Sequence, residues 1–301
     1  MSTRSKWQEL ATEALNPRSR DLDRLPAGDV VEVMLLDNRN VLAAVRREKA
    51  RIARGAEMMA EAVRLGGRLI FVGAGTSGRL GVLEAAELPP TFGIAPEAAI
   101  AIMAGGPNAV HRAKEGVEDD YDEGARALRR LRPRPRDVVV GISASGITPF
   151  VRGALTRARQ ARARIIGITC DARSGLKALA DVAIVLSVGP EVIAGSTRLK
   201  AGTATKVALN ILTTTAMVRV GKTYGNLMVD VKSNSEKLRD RARRIIGTVT
   251  GLASEDADAL LKRAGWSVKA AILMHEAGIT RAQAVSRLRV EPRLRELLGR
   301  R

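Results

Sequence analysis

The sequence predicts an α/β fold in which a five-stranded parallel sheet is flanked by helices, with a small helical domain at the C-terminal end. Five short apolar runs alternate with segments of helical periodicity, which is typical of parallel strands covered on both faces. Turns rich in glycine, serine and threonine directly follow two of these runs. From about Gly251 the composition changes, and three short helical segments follow.

The elements up to the end of the sheet can be placed in chain order. Residues 1–30 are expected to be irregular because Pro17 and Pro26 interrupt them. A helix is expected over Asp29–Leu65, where apolar residues recur at helical spacing. The five predicted strands are Leu69–Val72, Ala98–Met103, Val138–Ile142, Arg164–Thr169 and Val182–Val188.

The rest of the chain is predicted to be helical. A long helix is expected over Thr197–Val220 and a charged helix over Ser233–Thr248. Thr280 and Gln283 form a capping-box pattern at the start of a later helix. We therefore expect an N-terminal helical arm (1–60), an α/β domain (61–248) and a small helical C-terminal domain (249–301).

Composition limits the class of protein. Cys170 is the only cysteine, which excludes an intrachain disulfide and favours a reducing, cytoplasmic location. The N-terminus lacks an apolar signal-type region, and no apolar run is long enough to span a membrane. We therefore expect no membrane partner.

The net charge of +18 raises the possibility of nucleic-acid binding. The basic residues are spread along the chain, with clusters at 129–136, 239–244 and 293–301, and aromatic residues make up only 2% of the sequence. Few side chains are therefore available to stack on bases. We favour an arginine-rich solvated surface that attracts anionic metabolites, and we expect no nucleic-acid partner.

Two loops have the pattern of anion-binding sites. The first follows the strand-like run Leu69–Val72 and contains Gly75, Thr76, Ser77 and Gly78. The second follows Val138–Ile142 and contains Ser143, Ser145, Gly146 and Thr148. Each loop leads into a helix, whose N-terminal N–H groups and positive dipole end favour an anion. Two such loops at the carboxyl edge of a parallel sheet predict a site for a phosphorylated small molecule.

A third segment at 189–206 has a similar pattern. Ser196 and Thr197 are expected at the start of the long helix, with Lys200 beside them. This arrangement favours a further anion-binding helix terminus. The alternative is an ordinary capped helix with basic residues on its surface.

Glu87 is a candidate general acid. Pro89 disfavours helical geometry at the residue before it, so the helix after the first loop is expected to end near Pro89-Pro90, with Glu87 in its last turn. The negative end of the helix dipole and Glu84, one turn earlier, would both favour a protonated Glu87 carboxyl. The alternative is a solvated glutamate at a helix end.

Glu118 is a candidate general base. It belongs to an acidic run at 115–120 in an otherwise basic chain. A metal site is disfavoured because the nearby His111 has no partner at a usual ligand spacing. The alternative is a solvated run of charges.

Five segments in fixed order connect these residues with a known family. They are GAGTSGRLGVLEAAELPPTFG (73–93), EGVED (115–119), SASGITPFV (143–151), GPEVIAGSTRLKAGTATKVALN (189–210) and GKTYGNLMVDV (221–231). Together they closely resemble the N-acetylmuramic acid 6-phosphate etherases of the sugar isomerase (SIS) domain superfamily. The likeness runs from about Thr12 to the C-terminus.

The resemblance implies an SIS-type five-stranded parallel sheet, a homodimer, and no metal or organic cofactor. It implies cleavage of the D-lactyl ether of N-acetylmuramic acid 6-phosphate to N-acetylglucosamine 6-phosphate and D-lactate in cell-wall recycling. The family's two catalytic glutamates fall on Glu87 and Glu118. One departure is Ile147, where the family commonly has arginine.

Other functions are also weighed. A non-catalytic sugar-phosphate-binding regulator of the same superfamily is the main alternative, and retention of both glutamates argues against it. An SIS isomerase is the second alternative, which the segments at 87–90 and 226–230 disfavour. A nucleic-acid-binding regulator would need a helix-turn-helix module, and none is evident in the sequence.

Overall fold

The computed structural model describes residue 10 and residues 12–231 and 235–299. Across these residues the main sheet has five parallel strands in the order β2-β1-β3-β4-β5. The strands are β1 (Leu69–Gly73), β2 (Ala99–Met103), β3 (Val138–Ile142), β4 (Arg164–Thr169) and β5 (Val182–Val185). The predicted fold class is confirmed. The last strand ends at Val185 rather than Val188.

The centre of the sheet consists of two wholly buried strands. Every residue of β1 and β3 is buried, as expected for apolar strands covered on both faces. Their register pairs Gly73 with Ile142, so the two strands end level with each other. From β1 the chain continues to β2 on one side of the sheet, whereas from β3 it continues to β4 on the other side. The loops after β1 and β3 therefore meet at the switch point where ligands of open α/β sheets bind.

Two helices precede the sheet, where one was expected. They are α1 (Ala27–Arg47) and α2 (Lys49–Arg64). Glu48 interrupts the helix with φ −93° and ψ 9°. The single helix predicted over Asp29–Leu65 is therefore wrong in its continuity, although its extent is nearly right.

The helices between and after the strands complete the α/β pattern. They are α3 (Gly75–Phe92), α4 (Tyr121–Arg130), α5 (Pro149–Gln160), α6 (Leu176–Leu179) and α7 (Lys200–Val220). On one side of the sheet, Phe150, Val151 and Leu155 of α5 form a core cluster with Ile70 and Val139. Burial of each such side chain contributes about 1.5–3 kcal/mol.

The helix α3 does not stop at its prolines. It runs through Pro89 and Pro90 to Phe92, and the Gly93 N–H then donates to the Pro89 carbonyl oxygen at 2.9 Å. Pro89 and Pro90 remove two backbone donors. Burial of Leu88 and Phe92 stabilises the final turn against that cost. Glu87 therefore lies inside the helix and not in its last turn.

Contacts divide the chain into two compact units that do not follow the three expected ranges. The first comprises residues 1–85 and 97–213, and the second comprises residues 86–96 and 214–301. The helices α3 and α7 each contribute residues to both units. The separation of an N-terminal arm (1–60) and a C-terminal domain starting at 249 stays a prediction.

The second unit is mainly helical. It contains a small antiparallel pair, β6 (Thr223–Tyr224) and β7 (Leu227–Met228), and the helices α8 (Glu236–Thr250), α9 (Ser254–Arg263), α10 (Val268–Ala277), α11 (Arg281–Val290) and α12 (Leu294–Leu297). The predicted capping box of Thr280 and Gln283 is confirmed at the start of α11. The expected helix start at Ser233 lies outside the described residues. Within the described residues, none of the helices combines the length and the apolar character needed to cross a membrane.

Candidate functional site

A cavity of 390 Å³ lies in the first unit, at the carboxyl ends of β1, β2 and β3. It is lined by residues that follow these three strands, by the acidic segment and by two remoter segments. The lining residues are Leu10, Thr12, Glu13, Ala74–Ser77, Arg79, Met103, Ala104, Ala109, Ala113–Glu115, Val117, Glu118, Ile142–Ser145, Thr148, Gly195 and Thr197. The sheet therefore places both predicted anion loops at one site.

The first loop is the start of α3. Gly75, Thr76 and Ser77 line the cavity in the first helical turn, where N–H groups lack intrahelical partners. Gly78 does not line it. A Cβ atom on Gly78 would lie 2.8 Å from the Gly73 carbonyl oxygen, so glycine allows the strand end and helix start to touch. Gly78 thus shapes the loop from behind.

The second loop precedes α5. Ser143, Ser145 and Thr148 line the cavity. The Ser143 and Thr148 hydroxyl oxygens lie 2.7 Å apart, and the Gly146 N–H donates to Ser143 Oγ at 3.0 Å. Gly146 has φ +71°, and a Cβ atom there would collide with Ser174 Oγ. Gly146 does not line the cavity, and its conformation closes the turn that presents the hydroxyl groups.

At the third predicted anion site, the N-terminus of a helix, a carboxylate of the protein itself accepts the free N–H groups. The helix α7 begins at Lys200, three residues after Thr197, and the Glu191 carboxylate accepts the N–H groups of Lys200 and Ala201 at 3.1 and 2.9 Å. Burial raises the pKa of Glu191, although these N–H groups oppose the effect. Thr197 lines the cavity, and Ser196 does not.

Lys200 has a structural role. Its side chain is only 2% exposed, and its amine pairs with Asp37 Oδ1 at 2.7 Å. Asp37 also accepts a hydrogen bond from the Asn16 side chain at 3.1 Å. Lys200, which was predicted to bind substrate, does not line the cavity, and its charge is paired inside the protein.

The two candidate glutamates are placed differently. Glu118 lies in a short 3₁₀ turn (Val117–Asp119) and lines the cavity. Glu87 does not line it. Glu84, whose charge was expected to act on Glu87, pairs with Lys206 at 2.8 Å and accepts the Thr213 hydroxyl at 2.7 Å. The expected repulsion between the two carboxylates is thus largely compensated.

Five charged or polar side chains at the cavity were not among the predicted site residues. They are Thr12, Glu13, Arg79, Lys114 and Glu115. The Arg79 guanidinium is held by the carbonyl oxygens of Ala109 and Val110 at 2.9 and 2.8 Å. The position of Arg79 directly after the glycine loop was a usable signal. Thr12 and Glu13 carry no local signal, because the long-range fold brings them to the site.

Two family models match the chain. The glucokinase regulatory protein N-terminal SIS domain matches residues 51–159, and the SIS domain matches residues 122–215. Curated relatives match the chain over most of its length and over most of their own.

The curated relatives agree with one another in name. The chain is 53% identical over 266 residues to the N-acetylmuramic acid 6-phosphate etherase of Gloeobacter violaceus, covering 88% of this chain and 87% of the relative. It is 50% identical over 270 residues to that of Gloeothece citriformis (90% and 88% covered). It is 48% identical over 280 residues to that of Rubrobacter xylanophilus (93% of each). Among solved structures, a phosphoheptose isomerase from Francisella tularensis aligns with TM-score 0.49 and 19% identity, covering 63% of this chain and 100% of that one.

Proposed function

We infer that the chain, which belongs to the N-acetylmuramic acid 6-phosphate etherase family, is a lyase that cleaves the D-lactyl ether of N-acetylmuramic acid 6-phosphate. The products are N-acetylglucosamine 6-phosphate and D-lactate, and the reaction serves peptidoglycan recycling. We assign this reaction to the cavity at the sheet edge because residues of two hydroxyl-bearing loops and Glu118 all line it.

The phosphate is proposed to bind between the two loops. Thr76 and Ser77 on one side and Ser143, Ser145 and Thr148 on the other are hydrogen-bonding groups around one cavity. The N-terminal N–H groups of α3 and α5 add to this field. Gly75, Gly78 and Gly146 shape the loops, and Thr197 lies on a further wall of the cavity. No metal or organic cofactor is part of the proposal.

The elimination step needs two proton transfers, one from C2 and one to the leaving oxygen, which the chain's carboxyls can supply. The sugar opens to an aldehyde, which makes its C2 proton acidic. A base takes the C2 proton, the C3–oxygen bond breaks, and an acid gives a proton to the departing lactate oxygen. Water then adds at C3, while C2 regains a proton. Groups with different proton affinities perform such steps efficiently.

The two roles are assigned as follows. Glu118 is proposed as the base at C2, because it lines the cavity that holds both phosphate loops. Glu87 is proposed as the acid on its motif alone, since Glu87 does not line this cavity. The phosphate is held away from the reacting carbons, so its binding energy can orient C2 and C3 toward these groups.

Release of D-lactate tests the proposed function. Purified protein mixed with N-acetylmuramic acid 6-phosphate is expected to form D-lactate and N-acetylglucosamine 6-phosphate, and unphosphorylated N-acetylmuramic acid is expected to be a poor substrate. The match to the glucokinase regulatory protein SIS domain favours one other candidate, a non-catalytic sugar-phosphate-binding regulator. Saturable binding of the substrate without D-lactate at any pH tested would establish that alternative.

A homodimer in the cytoplasm is proposed as the working state. Val31, Leu35 and Leu42 of α1 are 56%, 60% and 68% exposed and recur on one helical face. Such an apolar stripe is typical of a protein interface. Leu35→Lys with Leu42→Lys is expected to give a monomer by light scattering. Val290→Lys, at another exposed apolar residue (87% exposed), is the matched control and should leave the mass unchanged.

A further inference from the structure

The cavity has a wall that the family motifs do not explain. Thr12 and Glu13 belong to the N-terminal segment, yet both line the cavity together with the strand-end loops. We propose that Thr12 and Glu13 are substrate-binding residues that recognise the uncharged, proton-donating part of the sugar. This inference rests on the proposed function and adds a specificity-determining wall to the same site.

The first observation is a buried hydroxyl without a partner. Thr12 is 5% exposed, and its Oγ1 has no hydrogen-bond partner among the residues that the structure describes. An unsatisfied buried polar group costs about 1–3 kcal/mol. Because Thr12 lines the cavity, rotation about its Cα–Cβ bond can turn the buried hydroxyl toward a ligand there, which then supplies the missing bond. Among the described residues, this wall thus holds a buried polar group that has no partner.

The second observation is that the segment is anchored on both sides of Glu13. The Gly195 N–H donates to the Thr12 carbonyl oxygen at 3.1 Å. The Asn16 side chain donates to Asp37 Oδ1 at 3.1 Å and to the Pro190 carbonyl oxygen at 3.2 Å. Glu13 therefore stands at the cavity on a segment tied to the 187–200 region. An anchored main chain lowers the ordering cost of a hydrogen bond between the exposed Glu13 side chain and a ligand.

The charge of Glu13 identifies which part of the ligand it takes. A carboxylate accepts hydrogen bonds and repels anions, so it disfavours the phosphate and the lactyl carboxylate. A sugar hydroxyl or the N-acetyl N–H can donate to it. Glu13 would thereby orient the sugar with its phosphate at the Ser143–Thr148 loop and its hydroxyl or amide donors at the N-terminal segment.

Calorimetric titration with N-acetylglucosamine 6-phosphate and with inorganic phosphate tests Glu13. In Glu13→Gln the Kd for the sugar phosphate is expected to rise about tenfold or more, the effect of losing a charged hydrogen bond. The Kd for inorganic phosphate should stay the same or fall, because a negative charge has been removed. Glu32→Gln makes the same change at an exposed residue of α1 that does not line the cavity and should bind both ligands as the unaltered protein does.

Thr12→Val separates a binding role from a structural one. Replacing an unpartnered buried hydroxyl by a methyl group of similar shape should leave the melting temperature equal or higher. Binding of N-acetylglucosamine 6-phosphate should weaken several-fold. If Thr12 were only structural, its replacement would not weaken ligand binding while keeping or raising the melting temperature. This combination of results therefore indicates a binding role.

Three outcomes would overturn the inference. They are unchanged sugar-phosphate binding in both variants, equal losses of sugar-phosphate and inorganic phosphate binding in Glu13→Gln, and absence of N-acetylglucosamine 6-phosphate binding by the unaltered protein. The test uses a product and not the ether substrate. If the protein binds that product through Thr12 and Glu13 but releases no D-lactate, the inference stands and the proposed etherase reaction fails.

Discussion

The hydroxyl groups of Ser143 and Thr148 lie 2.7 Å apart across the loop between β3 and α5. This bond closes the loop, and the Gly146 N–H, which donates to Ser143 Oγ at 3.0 Å, holds it from inside. Thr148 also precedes Pro149, the first residue of α5, where a proline has no N–H to leave unsatisfied. The loop is therefore ordered before an anion arrives, which lowers the cost of binding.

Removing hydroxyl groups from this loop should weaken phosphate binding. Ser145→Ala with Thr148→Ala is expected to raise KM for N-acetylmuramic acid 6-phosphate by tenfold or more, because about 1 kcal/mol is lost for each hydrogen bond and the loop loses its closure. Steady-state D-lactate release measures KM and kcat. Equal turnover of phosphorylated and unphosphorylated sugar by the unaltered protein would contradict this assignment.

Lys200 should matter for stability, because its amine is buried against Asp37. Lys200→Met leaves the Asp37 carboxylate with the Asn16 amide as its remaining partner among those seen here. Breaking a buried pair in this way costs about 3–5 kcal/mol. Urea unfolding should show that loss, and Lys200→Met with Asp37→Leu should recover much of it. Lys49→Met, at an exposed lysine, should change stability by about 0.5 kcal/mol or less.

The sheet and the two loops that line the cavity after β1 and β3 could be predicted from the sequence because their signals are local. Apolar runs such as Val138–Ile142 mark strands buried on both faces, and small residues directly after them mark the turns. The parallel order then brings the loops after β1 and β3 together. Local composition was sufficient because backbone geometry fixes both the elements and the edge at which they end.

Where the structure differs from the sequence-based expectations, the cause is a contact between residues that are distant in sequence. Lys200 meets Asp37 163 positions away, and the pattern around Lys200 contains no trace of that pairing. The N-terminus of α7 receives Glu191, whose carboxylate occupies the place expected for a ligand anion. The continuation of α3 through Pro89 depends on burial of Leu88 and Phe92, which a local rule about proline does not include.

Cys170 should be unreactive in the folded protein. Burial raises the pKa of its thiol to about 12, so the thiolate that reacts with a disulfide reagent is on the order of one part in ten thousand at about pH 8. Because Cys170 is the only cysteine, thiol release reports on this residue alone. We expect almost no reaction in buffer and one thiol per chain in denaturant. A fast reaction of one thiol per folded chain would contradict this prediction and show that the surroundings of Cys170 open readily.

The net charge of +18 should act on substrate capture. The substrate carries a phosphate and a carboxylate, and long-range attraction raises the rate of encounter with a positive protein. Values of kcat/KM are therefore expected to fall as salt rises from about 0.01 to 0.15 M, where the Debye length shortens from about 30 to 8 Å. Tight DNA or RNA binding with a steep salt slope at physiological ionic strength would assign the charge to nucleic acid instead.

The roles of the two glutamates can be separated by hydrogen exchange at C2. In the proposed reaction, removal of the C2 proton can precede departure of lactate, so a variant that lacks only the acid can still exchange that proton with solvent deuterium. Glu118→Gln is expected to abolish both exchange and D-lactate release. Glu87→Gln is expected to keep measurable exchange while D-lactate release falls by about 10²–10⁴-fold, the usual contribution of general acid–base catalysis.

Two further variants provide the controls for this experiment. Glu118→Asp keeps the charge and should retain some exchange if the carboxylate itself is the base. Glu97→Gln changes a glutamate that does not line the cavity and should leave both readings unaltered. Exchange lost in Glu87→Gln but kept in Glu118→Gln would reverse the two roles. Near-normal turnover in both variants would remove Glu87 and Glu118 from the mechanism and leave the chemistry to other groups at the cavity.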